Sequence, residues 1–316
     1  LARRVSLVLT GLPPEPDQLS RFLAGSDPEA YSKLVEELLA SSRYGEHQAR
    51  YWLDAVRYGD THGLHLDNRR GIYPYRDWVV KAFNDNLPLD DFITWQLAGD
   101  LLKSPTLEQR VATGFVRMNP STAEGGAIPD EFQAKNTFDR TETLGTVLLG
   151  MTLTCARCHT HKYDPIQQVE YYRLYAFFNN TAEGSMDGNR YEYAPVLKAP
   201  ADGDQWRNWH ELVSKRDKVL AEAEAVLKKH QEGKAPAIEQ WQKSGAKERL
   251  KMVSDVNGHW KQGDFPKRAG ELTALISQAE KKFTTTLVAQ ERGQPRVTKM
   301  LNRGEYNLPF GDALTP

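Results

Sequence analysis

Thr154-Cys155-Ala156-Arg157-Cys158-His159-Thr160-His161-Lys162-Tyr163-Asp164-Pro165-Ile166 is the stretch around which the rest of the chain falls into place. Its core, Cys155 to His159, is C-x-x-C-H, the spacing at which c-type haem is attached. The spacing has a physical reason. Two thiols three residues apart can add across the two vinyl groups on one porphyrin edge. The next residue, His159, is then held beneath the iron, where a neutral imidazole serves as proximal ligand. Three alternatives remain at this level. A C-x-x-C redox dithiol calls for a βαβ setting. Half of a zinc site, completed by His159 or His161, needs four ligands in all. A five-residue pattern also arises by chance. The sequence has only these two cysteines, three positions apart, which argues against a disulfide-stapled mini-domain.

Outward from the motif, the first 180 residues read as a run of helices. The turn Gly11-Leu12-Pro13-Pro14 leads to a helix near 16–23, and Asp27-Pro28 opens the next, with Tyr31, Leu34, Leu38 and Leu39 on one stripe. Further helices are expected over 46–58, 75–83, 89–102, 107–118, 129–150 and 167–178. Residues 59–74 form a polar loop rich in His, Asp and Arg, longer than a plain connector. Residues 119–127 form a second, glycine-containing loop. After about residue 180 the composition shifts. Residues 206–230 carry Leu212/Val213, Val219/Leu220 and Val226/Leu227 at a seven-residue step, as a long helix or coiled coil does. A break at 233–236, helices over 237–253 and 268–283, and strands over 284–289 and 296–301 complete the reading. The expected fold is therefore mainly α. A helical haem-binding domain over 1–180 is followed by a linker over 181–204 and a helical hairpin or small bundle over 205–284. Short strands and a linker toward a missing C-terminal domain occupy 285–316.

Composition narrows the function. The chain has 316 residues, 41 Lys+Arg and 42 Asp+Glu, for a net charge of -1. There is no basic excess to recruit nucleic acid and no acidic tail. The longest apolar run, around 147–153, falls far short of the roughly 20 residues of a membrane span. Mean hydropathy is -0.62, that of a polar globular chain. The N-terminus has neither an initiator Met nor a signal-peptide core, so the chain reads as part of a longer precursor.

Several blocks resemble one family in order. Besides Thr146 to Ile166, they are Arg3 to Leu7 with Gly11 to Pro14, Trp52-Leu53-Asp54-Ala55-Val56-Arg57-Tyr58, Tyr75-Arg76-Asp77-Trp78-Val79, Gln96 to Leu102, Ala112-Thr113-Gly114-Phe115 and Asp139-Arg140. Over residues 3–180 the chain resembles the second planctomycete cytochrome domain, a family of unknown function. The resemblance implies a large periplasmic or exported protein with one covalent haem c. It implies a link to polysaccharide breakdown but no established reaction; electron exchange with a partner protein or adjoining domains is what the haem motif itself leads one to expect. Thr160 departs from the family, which more often has Asp there, and His62 and His65 stand where many relatives have no histidine.

The remaining site residues follow from what a haem needs. A second axial ligand is sought in His62 or His65 on the long polar loop; Met118 and Met151 read as core residues. His161, two residues from His159, is expected to hydrogen-bond nearby. Arg157 and Lys162 are candidates for the haem propionates. Arg76 and Arg140 read as ion pairs with Asp77 and Asp139. Tyr163, Tyr171, Tyr172, Phe177 and Phe178 are candidate haem walls or simply core. If the distal face is open, the chain reads instead as a haem oxidoreductase for a carbohydrate-derived substrate. Asp60, Asp67, Glu124 or Asp130 would then meet sugar hydroxyls or act as a base.

Overall fold

Prolines and capping residues start the helices at Pro16, Leu107, Pro129 and Gln168 where the sequence leads one to expect them. A helix from Ala2 is not expected, and those from Ser42, Tyr73 and Phe265 begin earlier than expected. In the computed structural model, which describes residues 1–24, 27–229, 235–261 and 263–316, the chain opens with α1 (Ala2–Thr10), α2 (Pro16–Leu23), α3 (Ala30–Leu39) and α4 (Ser42–Ala55). Then come α5 (Tyr73–Asn84), α6 (Leu89–Ala98), α7 (Leu107–Ala112), α8 (Pro129–Leu149) and α9 (Gln168–Asn179). Gln167 and Glu170 form a capping box on α9, and Thr106 with Gln109 does so on α7. Beyond β1 (Val196–Ala199) lie α10 (Gly203–Lys229), α11 (Ala235–Lys243), α12 (Ala246–Ser254) and α13 (Phe265–Glu280). Strands β2 (Thr284–Leu287), β3 (Thr298–Leu301) and β4 (Pro309–Leu314) close the chain. The protein is mainly helical, 58% helix, with a few short strands. Among the described residues no helix is long and apolar enough to cross a membrane.

The chain divides into two units. Unit 1 is Leu1–Leu197 with Thr285–Pro316, and unit 2 is Lys198–Thr284. In unit 2 the seven-residue step is realised. Leu212, Val219, Leu220, Ala223 and Leu227 of α10 are buried with Leu250 and Val253 of α12 and Leu272 and Ile276 of α13. The continuous helix expected over 237–253 is two helices, because Ser244 and Gly245 separate α11 from α12 and Glu248 caps the new start. The break expected at 233–236 begins outside the described residues, as does the end of the 206–230 helix at His230. Residues 285–316 pack as part of unit 1. There β3 pairs antiparallel with β4, Thr298 opposite Leu314 and Leu301 opposite Pro309, and Leu301, Met300 and Leu314 join the core beneath α9.

Unit 1 has an aromatic core where α4, α5 and α6 meet. Trp52 Nε1 donates to Tyr75 Oη and Gln96 Oε1, both at 3.0 Å, and Tyr75 Oη donates to Gln96 Oε1 at 2.6 Å. A second core is polar and ionic. Arg140 of α8 pairs with Glu183, their side chains only 3% and 4% exposed. It also donates to Asn119 Oδ1 at 2.9 and 3.1 Å and to Thr181 Oγ1 at 2.8 Å. The expected partner, Asp139, instead holds Arg57. Consecutive helical side chains point to different faces, so adjacency in sequence misassigned the pair. Arg117 is fully buried and donates to the carbonyls of Pro195 and Val288, each at 2.9 Å. Arg70 donates to the carbonyls of Asn119 at 2.8 Å and Met118 at 3.2 Å, capping the turn that follows α7. The long polar loop is thus pulled inward at its two ends, by His62 and Arg70.

This core sets an acid sensitivity. Burial pushes the Glu183 carboxyl up, but Arg140 and Arg117 outweigh it and hold it below its ordinary 4.5. The stabilisation is therefore full above the unfolded value and is lost as pH falls through the folded one. Asp139 acts oppositely: burial outweighs Arg57 and raises it. Denaturant melts between about pH 3 and 6 should show stability falling with acid, with a shallower fall in Glu183→Gln. An unchanged slope in that variant would contradict the assignment.

Candidate functional site

The motif residues form one helical turn. The carbonyl of Cys155 accepts from the N–H groups of Cys158 at 3.3 Å and His159 at 3.4 Å. Residues i, i+3 and i+4 share a face, so Cys155, Cys158 and His159 are presented together. All three are exposed, and both thiols are free. His159 Nδ1 lies 2.7 Å from the carbonyl of Thr160. A carbonyl only accepts, so Nδ1 carries the proton and Nε2 keeps a bare lone pair. That is the tautomer a metal-bound histidine uses.

The turn is held from beneath by α8. Ala134, Phe138, Glu142 and Gly145 form a stripe at helical spacing toward the motif. Arg157 stacks over Phe138 at 4.1 Å and donates through Nε, at 3.0 Å, and Nη2 to Glu142 Oε1. Tyr171 Oη donates to the same oxygen at 2.9 Å, and Thr154 Oγ1 donates to Oε2 at 3.1 Å. Burial pulls the Arg157 guanidinium down, but Glu142 outweighs it and holds it above its ordinary value. Burial, reinforced by Glu142, pushes the Tyr171 phenol well up. Tyr172 Oη donates to the carbonyls of Arg157 at 2.9 Å and Leu301 at 3.4 Å.

Two glycines allow close approach. A Cβ on Gly145 would stand 2.4 Å from Leu153 Cγ, where the motif turn begins. Gly145→Ala would gain about 1 kcal/mol of helix propensity against an overpacking cost of about 1–3 kcal/mol. A net loss of stability is expected in urea melts, and a gain would contradict the packing. Gly304, at φ +74, lies on the turn between β3 and β4; its Cβ would meet Arg157 Cδ at 2.8 Å and Cys158 Sγ at 3.6 Å. On the same turn the carbonyl of Arg303 accepts from the Cys158 thiol at 3.2 Å. The two cysteines are therefore not equivalent, since Cys155 has no such partner among the described residues.

The family model PSCyt2, a protein of unknown function (DUF1549), matches residues 1–183. The chain belongs to the PSCyt2 family. It is a planctomycete cytochrome-like family of unknown function. No curated protein and no solved structure matches the chain. The matched residues include the PSCyt2 motif turn and its α8 support; the β3–β4 turn that touches Cys158 lies beyond them.

Against this PSCyt2 frame, the other expected site residues sort themselves. Lys162 is exposed, over the ring of Tyr163, itself 83% exposed. Arg157, expected at a propionate, is committed to Glu142 and Phe138. His161 Nδ1 accepts from the N–H groups of Asp164 at 2.8 Å and Tyr163 at 3.3 Å, with the Asp164 carboxylate 3.4 Å away, and so fixes the loop after the motif. Arg76 pairs with Asp77, as expected. Tyr171, Tyr172 and Phe178 are core, while Phe177 is exposed. Asp67 accepts from the N–H of Gly63 at 2.8 Å, Asp60 accepts from Tyr58, and Glu124 and Asp130 are exposed.

His62 does not offer an axial ligand. It is 2% exposed, its Nε2 lies 2.9 Å from the carbonyl of Arg190, and its Nδ1 lies 3.1 Å from Ser121 Oγ and 3.3 Å from Asp187 Oδ2. Both nitrogens are committed to residues other than those around the motif. Ser121 and Asp187 both face one nitrogen and are buried, so this is no hydrolytic relay, which needs one partner on each nitrogen. His65 is exposed, at φ +51 in the outward tip of the loop. Met118 is buried, and Met151 packs against the core under the motif together with Met300. Met300, Glu142 and Phe138 escaped the sequence reading. Glu142 had a signal, the 134/138/142/145 spacing, but a carboxylate in that stripe reads as a solvent position. Among the described residues no three His, Cys, Asp or Glu side chains converge as a metal site.

Proposed function

We propose that this protein is a c-type cytochrome domain that carries one covalent haem and exchanges electrons with a partner protein or adjoining domain. The observation that supports the reading is the single exposed turn bearing the Cys155 and Cys158 thiols and an imidazole whose Nε2 is left bare. The donor set suits a haem c, with two tethers and one proximal nitrogen. Cys155 and Cys158 are its tether, His159 its proximal ligand, and Lys162 the cation available to a propionate. When bound, haem supplies one-electron chemistry at iron. The chain's own part is to hold the turn still. Glu142 locks Arg157, Tyr171 and Thr154 against it, and Thr160 fixes the His159 ring. Haem is attached to such thiols outside the bacterial cytoplasm, so the reading places the protein in the periplasm or beyond.

A second reading is a haem oxidoreductase with an open distal face, acting on a carbohydrate-derived substrate. It is favoured by the commitment of both His62 nitrogens. Carbon monoxide separates the two. After maturation in a periplasm with a c-type haem assembly system, electron transfer predicts a reduced spectrum unchanged by CO. The oxidoreductase reading predicts a CO-shifted Soret band. A full-length protein without a Soret band would end both and revive the dithiol alternative.

A further inference from the structure

Between the start of α8, the end of α9 and the β3–β4 hairpin lies a groove of about 360 Å³. That is within the size range of small-molecule sites. Its floor is buried and fixed: Asn179 Nδ2 donates to Thr298 Oγ1 at 3.0 Å, beside Tyr175 and Leu301. Tyr175 is held against Phe138 and Tyr172, with ring centroids 5.2 and 5.6 Å away. Tyr306 and Val297 add apolar wall, and Val297 is 74% exposed at the rim.

Arg296 is the charge that this groove does not answer. Its Nη1 donates to the carbonyls of Asn179 at 2.8 Å and Thr181 at 2.7 Å. Among the described residues no carboxylate pairs with it, and its Nε–Nη2 edge has no protein partner. That edge is the fork that receives a carboxylate through two parallel hydrogen bonds. Burial first, then repulsion from Arg292, pulls its guanidinium below the ordinary value. Lys299 lines the same groove, against a single carboxylate, Asp130. Glu183 acts on Arg296 from the interior, but Arg140 already pairs with it. The local excess is positive, and the walls are apolar.

We propose that this groove binds the carboxylate end of a small organic anion, with Arg296 as charge partner and Tyr175, Tyr306 and Val297 against its apolar body. The free-acid source stands without the haem reading, and the propionate source rests on it. The carboxylate arrives either on a free acid or on a propionate of the proposed haem, because Leu301 and Tyr306 share a core cluster with Leu153 and Ala156 of the motif.

Titration calorimetry on the full chain without haem, with benzoate and with inorganic phosphate, tests the free-acid source. Benzoate is expected to saturate, and to bind about tenfold more weakly to Val297→Asp and Arg296→Gln. Arg296→Lys should bind as weakly as Arg296→Gln, because lysine lacks the fork. Val297→Asp, an exposed rim change, keeps the test sound if the Arg296 variants fail to fold. Phosphate binding at least as tightly as benzoate would overturn an organic anion. If benzoate does not saturate by about 10 mM, the haem-loaded protein decides. A midpoint potential shifted by Val297→Asp supports the propionate source. No benzoate binding, together with either an unshifted potential or a chain that takes up no haem, overturns the proposal.

Discussion

Glu183→Ala is expected to lower the melting temperature of unit 1 by on the order of 10 °C. Removing one partner of a buried ion pair leaves the other charge uncompensated, at about 3–5 kcal/mol. Each kcal/mol moves the transition by about 2–4 °C in a unit of this size. Arg140 would keep its bonds to Asn119 and Thr181 but lose the carboxylate that pairs with it among the described residues. Glu183→Gln should cost less, since an amide oxygen can still accept from Arg140. The cost of the pair itself is a different quantity, because replacing both members by apolar groups of matched volume is often neutral. Thermal melts by circular dichroism read the result. An alanine variant melting within a degree or two of the parent would show that water reaches Arg140 and that the ionic core is not dry.

Cys155→Ala with Cys158→Ala is expected to abolish covalent attachment entirely, which is the largest functional effect foreseen. Each single variant should keep one thioether and leave one vinyl group free. The pyridine haemochrome band then moves to longer wavelength. The two single variants should also differ. The Cys158 thiol donates to the Arg303 carbonyl and lies against Gly304, whereas Cys155 is open. Cys155 alone is therefore expected to give the higher yield of attached haem. Equal yields would show that the β3–β4 turn moves freely off Cys158. Haem retained through denaturation by the double variant would remove the motif from the account.

How much of this was legible depended on whether the information is local. The C-x-x-C-H spacing is local chemistry, and one helical turn delivers it. Helix starts were legible at Pro16, Pro129 and Gln167, where prolines and capping residues mark them. Partners across the fold were not. Arg140 looked like a match for Asp139 until the helix turned it toward Glu183. Arg157 looked like a propionate ligand because of its charge and its place inside the motif, with Asp164 the nearby alternative; its actual partner, Glu142, lies on another helix. His62 sat in a polar loop and read as available, but Ser121, Asp187 and Arg190 come from segments far along the chain to bury it. The break between α11 and α12 was hidden because apolar spacing continues across Ser244 and Gly245. Residues 285–316 read as strands and a linker, and only tertiary packing shows their turn reaching Cys158.

Cys155 and Cys158 are proposed to tether one haem. Intact-mass measurement under denaturing conditions tests it most directly, on the chain matured in a periplasm with a c-type haem assembly system. The account predicts one species heavier than the polypeptide by one haem, with no thiol left to alkylate. A chain of unmodified mass with two alkylatable thiols, made alongside a control cytochrome that is fully loaded, would contradict it.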